Sequence, residues 1–146
     1  MDPLLIAALL AGLVALAAAL GLAHRRASGR VRARPVASAE RIDPASLLSG
    51  AVLGATATVV QFSTEYCSRC PGVHRMLDAL VQERDGVVHL DVNLTHRPDL
   101  ADRFHVLQTP TLLVLDGDGV ARSRLSGAPA RSVVLDELDR LLERTP

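Results

Sequence analysis

The chain contains no lysine and no tryptophan, only three aromatic side chains (Phe62, Tyr66 and Phe104) and only two cysteines. Without lysine there is no Schiff-base chemistry. Three scattered aromatics give no platform on which nucleobases could stack. Two cysteines are too few to staple a coreless miniprotein. Net charge is missing as well, but the zero sums unequal parts: −1 over residues 1–23, +5 over 24–42 and −4 over 43–146. A mildly acidic domain lacks the basic face that neutralises phosphates, which excludes nucleic acid as a partner.

What is present is a chain of 146 residues, 49% of them apolar, enough for one packed domain after a distinctive start. Residues 3–23 carry no charged side chain and include eight Leu and eight Ala. As a helix this stretch reaches about 32 Å, the thickness of a bilayer's hydrocarbon core. The basic flank lies after it, at His24, Arg25, Arg26, Arg30, Arg32 and Arg34. A secretory signal carries its positive charge before the apolar run, so the pattern predicts an uncleaved anchor over 1–24 instead. The positive-inside bias then keeps the flank, and the domain behind it, in the cytoplasm. Export of the domain, or a cleaved signal, is the alternative. Ala7, Ala11, Ala15, Ala19 and Ala23 form a small-residue stripe that offers a second membrane helix close approach. Residues 25–42 read as an Arg-rich juxtamembrane linker and 43–146 as the folded domain.

Within that domain, helices and strands alternate. Asp43-Pro44-Ala45-Ser46 is a helix start, and the helix ends by Gly50. Ala57–Ser63 is β-branched and reads as a buried strand. Val73, Met76, Leu77, Leu80 and Val81 recur at helical spacing up to Gly86. Val87–Leu94 is the next strand and Arg97–His105 a helical stretch opened by Pro98. Thr111–Leu115 is apolar enough for a central strand. Asp116-Gly117-Asp118-Gly119 turns it into an antiparallel partner, Val120–Leu125. Ser132 is placed as the cap of a last amphipathic helix. The order α, β, α, β, α, β, β, α predicts an α/β fold with a mixed sheet flanked by helices.

The chemistry sits at Cys67-Ser68-Arg69-Cys70, where a strand meets a helix start. A thiolate attacks disulfides, and the positive end of a helix stabilises a thiolate. The three-residue step lets the second sulfur resolve a mixed disulfide formed by the first. Cys67, first on the helix, is the expected nucleophile and Cys70, one turn in, the resolving thiol; Arg69 adds a nearby cation. A purely structural disulfide closing so short a loop restrains the unfolded chain little. Haem attachment needs His where Pro71 stands. Zinc on Cys70 and His74 lacks ligands to close the site, so no metal is assigned and His74 reads as a solvated helix residue.

Strand-Cys-x-x-Cys-helix followed by Thr109-Pro110-Thr111 opening an apolar strand resembles thioredoxin, over about Ala45 to Leu142. Asp91-Val92-Asn93 and Gly127 fit the same pattern. The N-terminal segment and Gln61-Phe62-Ser63-Thr64 before the dithiol are similar to membrane-anchored thioredoxin-like proteins of actinobacterial type. The resemblance implies a thioredoxin-like fold, a cis bond before Pro110, substrate contact at Thr109, Pro110 and Tyr66, and no cofactor beyond the dithiol itself. This chain departs from the pattern at several positions. Ser68-Arg69 replaces Gly-Pro, Tyr66 replaces Trp, and Arg75 stands where the family's helix carries Pro. Gln61 replaces a buried Asp, and His89 aligns with the Lys beside it. Gln does not titrate, which leaves two readings of His89: a side chain that fills half-buried space beside the sheet, or the proton carrier near neutrality.

The resemblance implies a membrane-tethered thiol–disulfide oxidoreductase. Its substrates would be protein or small-molecule disulfides, and its electrons would come from a thioredoxin reductase or a membrane electron carrier. One alternative is an outward-facing form serving extracytoplasmic disulfides or cytochrome maturation. Another is a non-catalytic docking or metal-delivery module.

Overall fold

The computed structural model describes residues 3–28, 34–35 and 41–144, with the side chains of residues 6, 8–21 and 41–143. It divides into two compact units, Met1–Arg30 and Val31–Pro146.

The first unit is helix α1, Pro3–Ser28. Ile6, Leu9, Leu10, Leu13, Val14, Leu16 and Leu20 are all exposed. Among the described residues no helix is long and apolar enough to cross a membrane. The continuous run of described side chains is residues 8–21. Both ends of the expected 1–24 anchor lie outside it. The helix also continues into the expected linker. Ala, Arg and His tolerate helix well, and basic residues suit a helix C-terminus. The rest of the linker lies outside the described residues, apart from 34–35 and 41–42.

The second unit holds one five-stranded sheet, ordered β1-β5-β4-β2-β3. Its strands are β1 (Arg34–Pro35), β2 (Ala57–Ser63), β3 (Val87–Asn93), β4 (Thr111–Asp116) and β5 (Ala121–Ser126). β2 pairs in parallel with β3 and antiparallel with β4, and β4 continues antiparallel to β5. The two-residue β1, read from sequence as linker, adds to the free edge of β5. Helices α2 (Cys70–Gln82), α3 (Pro98–Arg103) and α4 (Arg131–Arg144) complete the unit.

Alternation along β2 sorts the core. Ala57 and Val59 belong to a cluster with Val73, Leu77 and Leu80 of α2 and Val134 and Leu138 of α4. Val60 and Phe62 belong to another with Leu90, Val92, Leu100 and Phe104. The Phe62 and Phe104 rings stand 5.2 Å apart, centroid to centroid.

Three local expectations need correction. The segment after Asp43 is a single 3-10 turn, Pro44–Ser46, capped by the Asp43 carboxylate on the Ala45 amide. Ser132 does not cap α4: it is the second helical residue, and the Ala130 carbonyl takes the first amides, from Val133 and Val134. α3 stops at Arg103 because His105 turns left-handed at φ +47°. Arg124 of β5 donates to the carbonyls of Phe104 and His105 and holds that turn.

Asp116 closes the β4–β5 hairpin. Its Oδ1 accepts from the Asp118 and Val120 amides at 3.0 and 2.9 Å, and its Oδ2 from Arg122 at 2.6 Å. Burial alone raises its carboxyl, but these donors more than offset that and hold it below the usual carboxylate range. Asp116→Ala is therefore expected to cost about 1–2 kcal/mol at pH 7. A depressed folded value means the contribution is full above about pH 4, the unfolded value, and fades as pH falls through the folded one. Urea unfolding at pH 7 and pH 3 checks this. The gap between the two proteins should narrow in acid, and a constant gap contradicts the assignment.

Candidate active site

The site forms where β2 ends. Ser63 closes the strand, and its carbonyl accepts from the Leu94 amide at 2.8 Å. Residues 64–69 then make two successive turns, with Cys67 N–H on the Thr64 carbonyl at 3.1 Å and Cys70 N–H on the Cys67 carbonyl at 3.2 Å. The Glu65 amide donates to Thr95 Oγ1 at 3.0 Å, which ties this loop to the one after β3.

Cys67 and Cys70 are joined by a disulfide, with Cα atoms 5.4 Å apart. The expected placement shifts by one turn: Cys70 is the first residue of α2, and Cys67 lies in the turn before it. Pro71 explains the shift. It has no N–H to donate back to the Cys67 carbonyl, so the first helical bond available is Val73 N–H to Arg69 O, at 3.2 Å. The shift strengthens the chemistry expected of Cys67. The Cys70 amide, at the positive end of the helix, points at Cys67 Sγ from 3.2 Å. Cys70 is 4% exposed, whereas Cys67 is half-buried.

Around this pair, Tyr66, Ser68 and Arg69 are exposed, Tyr66 most of all. The Thr109–Pro110 peptide bond is cis. Thr109 Oγ1 lies 3.3 Å from Thr64 Oγ1, so the loop before β4 meets the loop before the dithiol. The Pro110 carbonyl accepts from the Gly127 amide at 2.8 Å. A shallow groove of about 410 Å³ runs beside the cysteines, lined by Ser68, Arg69, Pro71, Met76, Ala128 and Pro129 among others.

Behind the dithiol, Gln61 is fully buried and its Nε2 donates to the Cys70 carbonyl at 3.3 Å. Its Oε1 is buried without a partner. The residue opposite Gln61 on β3 is Asp91, not His89, which stands opposite Val59. The His89 imidazole goes instead to Asp78 of α2, Nδ1 to Oδ1 at 2.8 Å. His74 is likewise engaged rather than simply solvated: its Nε2 lies 3.1 Å from Asp78 Oδ2 and its Nδ1 3.0 Å from Asp91 Oδ2. Asp91 also accepts from Ser63 Oγ at 2.5 Å. Sequence reasoning singled out neither Asp78 nor Asp91 as a site residue. The signals were the i, i+4 step from His74 to Asp78 and the i, i+2 step from His89 to Asp91. Each step puts two such groups on one face.

Comparison with known proteins gives a consistent answer. The sequence profile of the family described as Thioredoxin matches residues 49–140. A curated thioredoxin of Echinococcus granulosus is 28% identical over 67 residues, 46% of this chain and 63% of the relative. The match thus spans less than two thirds of that relative's length. The solved thioredoxin of Fasciola hepatica superposes with a TM-score of 0.53 at 24% identity, covering 60% of this chain and 82% of that one. A mutant thioredoxin from Halobacterium salinarum NRC-1 gives 0.55 at 19%, covering 62% and 79%. At these identities the structures speak for the fold.

The dryness of position 61 is testable. Gln61→Asp places a carboxyl where burial disfavours the charged form, so its folded value rises above the unfolded value of about 3.9. The resulting deficit is small below pH 4, grows as pH rises, and reaches about 2–4 kcal/mol by pH 7. Urea unfolding at pH 4.5 and 7.5 measures it. A deficit independent of pH contradicts a dry site.

Proposed function

This chain belongs to the thioredoxin family, and on that premise we propose that it is a thiol–disulfide oxidoreductase in which Cys67 attacks and Cys70 resolves. The observation that carries this reading is the Cys67–Cys70 disulfide, with the Cys70 amide on Cys67 Sγ and Cys70 itself buried.

In the reduced protein the Cys67 thiolate attacks one sulfur of a substrate disulfide. A mixed disulfide forms and the other substrate sulfur leaves as a thiolate. Cys70, deprotonated, then attacks Cys67 Sγ, which releases the second substrate thiol and closes the Cys67–Cys70 disulfide. Two electrons pass to the substrate, and an upstream dithiol reductant or membrane electron carrier restores them. A substrate docks over Cys67, with Tyr66, Thr109 and Pro110 as its contacts. Arg69 and Ser68 shape the field at Cys67. Gln61 holds Cys70 through its carbonyl. His89 is held by Asp78, which also faces His74.

The tethered, actinobacterial form of the family is the reading we favour for location. The uncharged stretch over 3–23, the exposed apolar side chains of α1 and the arginines that follow support an anchor with the domain on the cytoplasmic side. Poise in that compartment drives the dithiol toward reduction of its substrates.

Two experiments separate these claims. With disulfide clients, Cys70→Ser should accumulate mixed disulfides on non-reducing gels, because attack proceeds and resolution does not, while Cys67→Ser should trap none. Equal trapping by the two variants contradicts the assigned roles. For topology, Ser38→Cys in a Cys67→Ser, Cys70→Ser background should resist an impermeant maleimide in intact cells and react after permeabilisation. Labelling of intact cells supports the outward-facing form instead.

A further inference from the structure

We propose that His74, Asp78 and His89 form a binding site for a divalent transition ion of the zinc class, held between α2 and β3 and separate from the dithiol. Among the described residues, these three side chains offer ligand atoms that all lie within 4.8 Å of one another.

The spacing suits the ion. In tetrahedral coordination with bonds near 2.0–2.1 Å, neighbouring ligand atoms stand about 3.4 Å apart. Asp78 already faces His74 Nε2 at 3.1 Å and His89 Nδ1 at 2.8 Å. The two rings meet edge to face with centroids 4.9 Å apart. Both Asp78 contacts lie within about 0.6 Å of that spacing, and the three ligand atoms together lie within 4.8 Å of one another.

The hydrogen bonding asks for a cation. One nitrogen of each imidazole, His74 Nδ1 and His89 Nε2, is buried without a hydrogen bond. His74 Nδ1 lies 3.0 Å from Asp91 Oδ2 without a hydrogen bond to it. In the neutral tautomer that carries its proton on Nε2, His74 turns a lone pair toward Asp91, and a carboxylate only accepts. Either a second proton or a metal ion on Nε2 removes that repulsion. With the ion on Nε2, Nδ1 carries the proton and is free to donate to Asp91. A carboxylate behind the outer nitrogen of a ligating His is the usual orienting arrangement. Asp91 is itself fixed by Ser63 Oγ.

Burial also fits. The His89 side chain is 3% exposed, while His74 and Asp78 are 43% and 46% exposed. The site therefore has a dry inner wall and an open outer side for entry and for a water as fourth ligand. Two imidazoles and one carboxylate favour zinc, cobalt, nickel or copper over magnesium or calcium, which take oxygen ligands.

The test uses the full chain with its disulfide closed, so that no thiolate can bind metal and the result is independent of the oxidoreductase reading. Calorimetric titration with Zn2+ should show one ion per chain. Co2+ should give visible d–d bands with no sulfur charge-transfer band. His74→Gln and Asp78→Asn, both at half-exposed positions, should each weaken Zn2+ binding by roughly tenfold or more while the far-UV spectrum stays unchanged. His96→Gln, at an exposed site elsewhere, should leave it intact. No saturable Zn2+ binding overturns the proposal. So does binding that survives in both site variants, falls equally in His96→Gln, or is displaced by equimolar Mg2+.

Discussion

Strand β2 has hydrogen-bonded neighbours on both edges, β3 parallel and β4 antiparallel, and apolar clusters on both faces. All seven of its residues are buried. Everything at the site depends on how this strand ends. Its outward turn at Ser63 delivers Cys67 to the surface, and the return into α2 sends Cys70 back against the sheet. One sulfur is thereby reachable and the other protected, although they are three residues apart. Pro71 sharpens the contrast, because it sets the helix start at Cys70 and leaves that residue's amide aimed at Cys67 Sγ.

The same burial sets what can stand behind the dithiol. Alternation puts Gln61 and Ser63 on the face covered by α2, and the parallel register sets Asp91 opposite Gln61. An amide at the driest position and a carboxylate one strand over reverse the usual family arrangement of a buried acid. The charged groups move outward, toward the rim of α2, where His74, Asp78, His89 and Asp91 lie against one another.

Much of this frame was legible in the residues. β2 and β4 announce themselves as β-branched apolar runs, α2 and α4 by helical spacing, and the hairpin by Asp116 and Gly119. The dithiol was legible because Cys-x-x-Cys stood between a strand and a helix, and Thr109-Pro110 because the family resemblance aligned it. Two kinds of feature were not. Helix starts at Cys70 and Arg131 depend on which backbone carbonyl takes the first free amide, and side-chain propensities do not report that. The imidazole–carboxylate cluster depends on α2 lying across β3 in one register. Neither His74 nor His89 carries that information alone, which is why His89 was read as a partner of Gln61 instead of Asp78.

Unequal reactivity of the two sulfurs is the claim on which the functional reading stands, and competitive alkylation tests it most directly. The reduced chain is treated at pH 7 with less than one equivalent of iodoacetamide, and the label is located by peptide mapping. A half-buried Cys67 facing a helix-start amide, set against a Cys70 that is 4% exposed, predicts label on Cys67 in roughly tenfold excess or more. Equal labelling, or an excess on Cys70, contradicts the account.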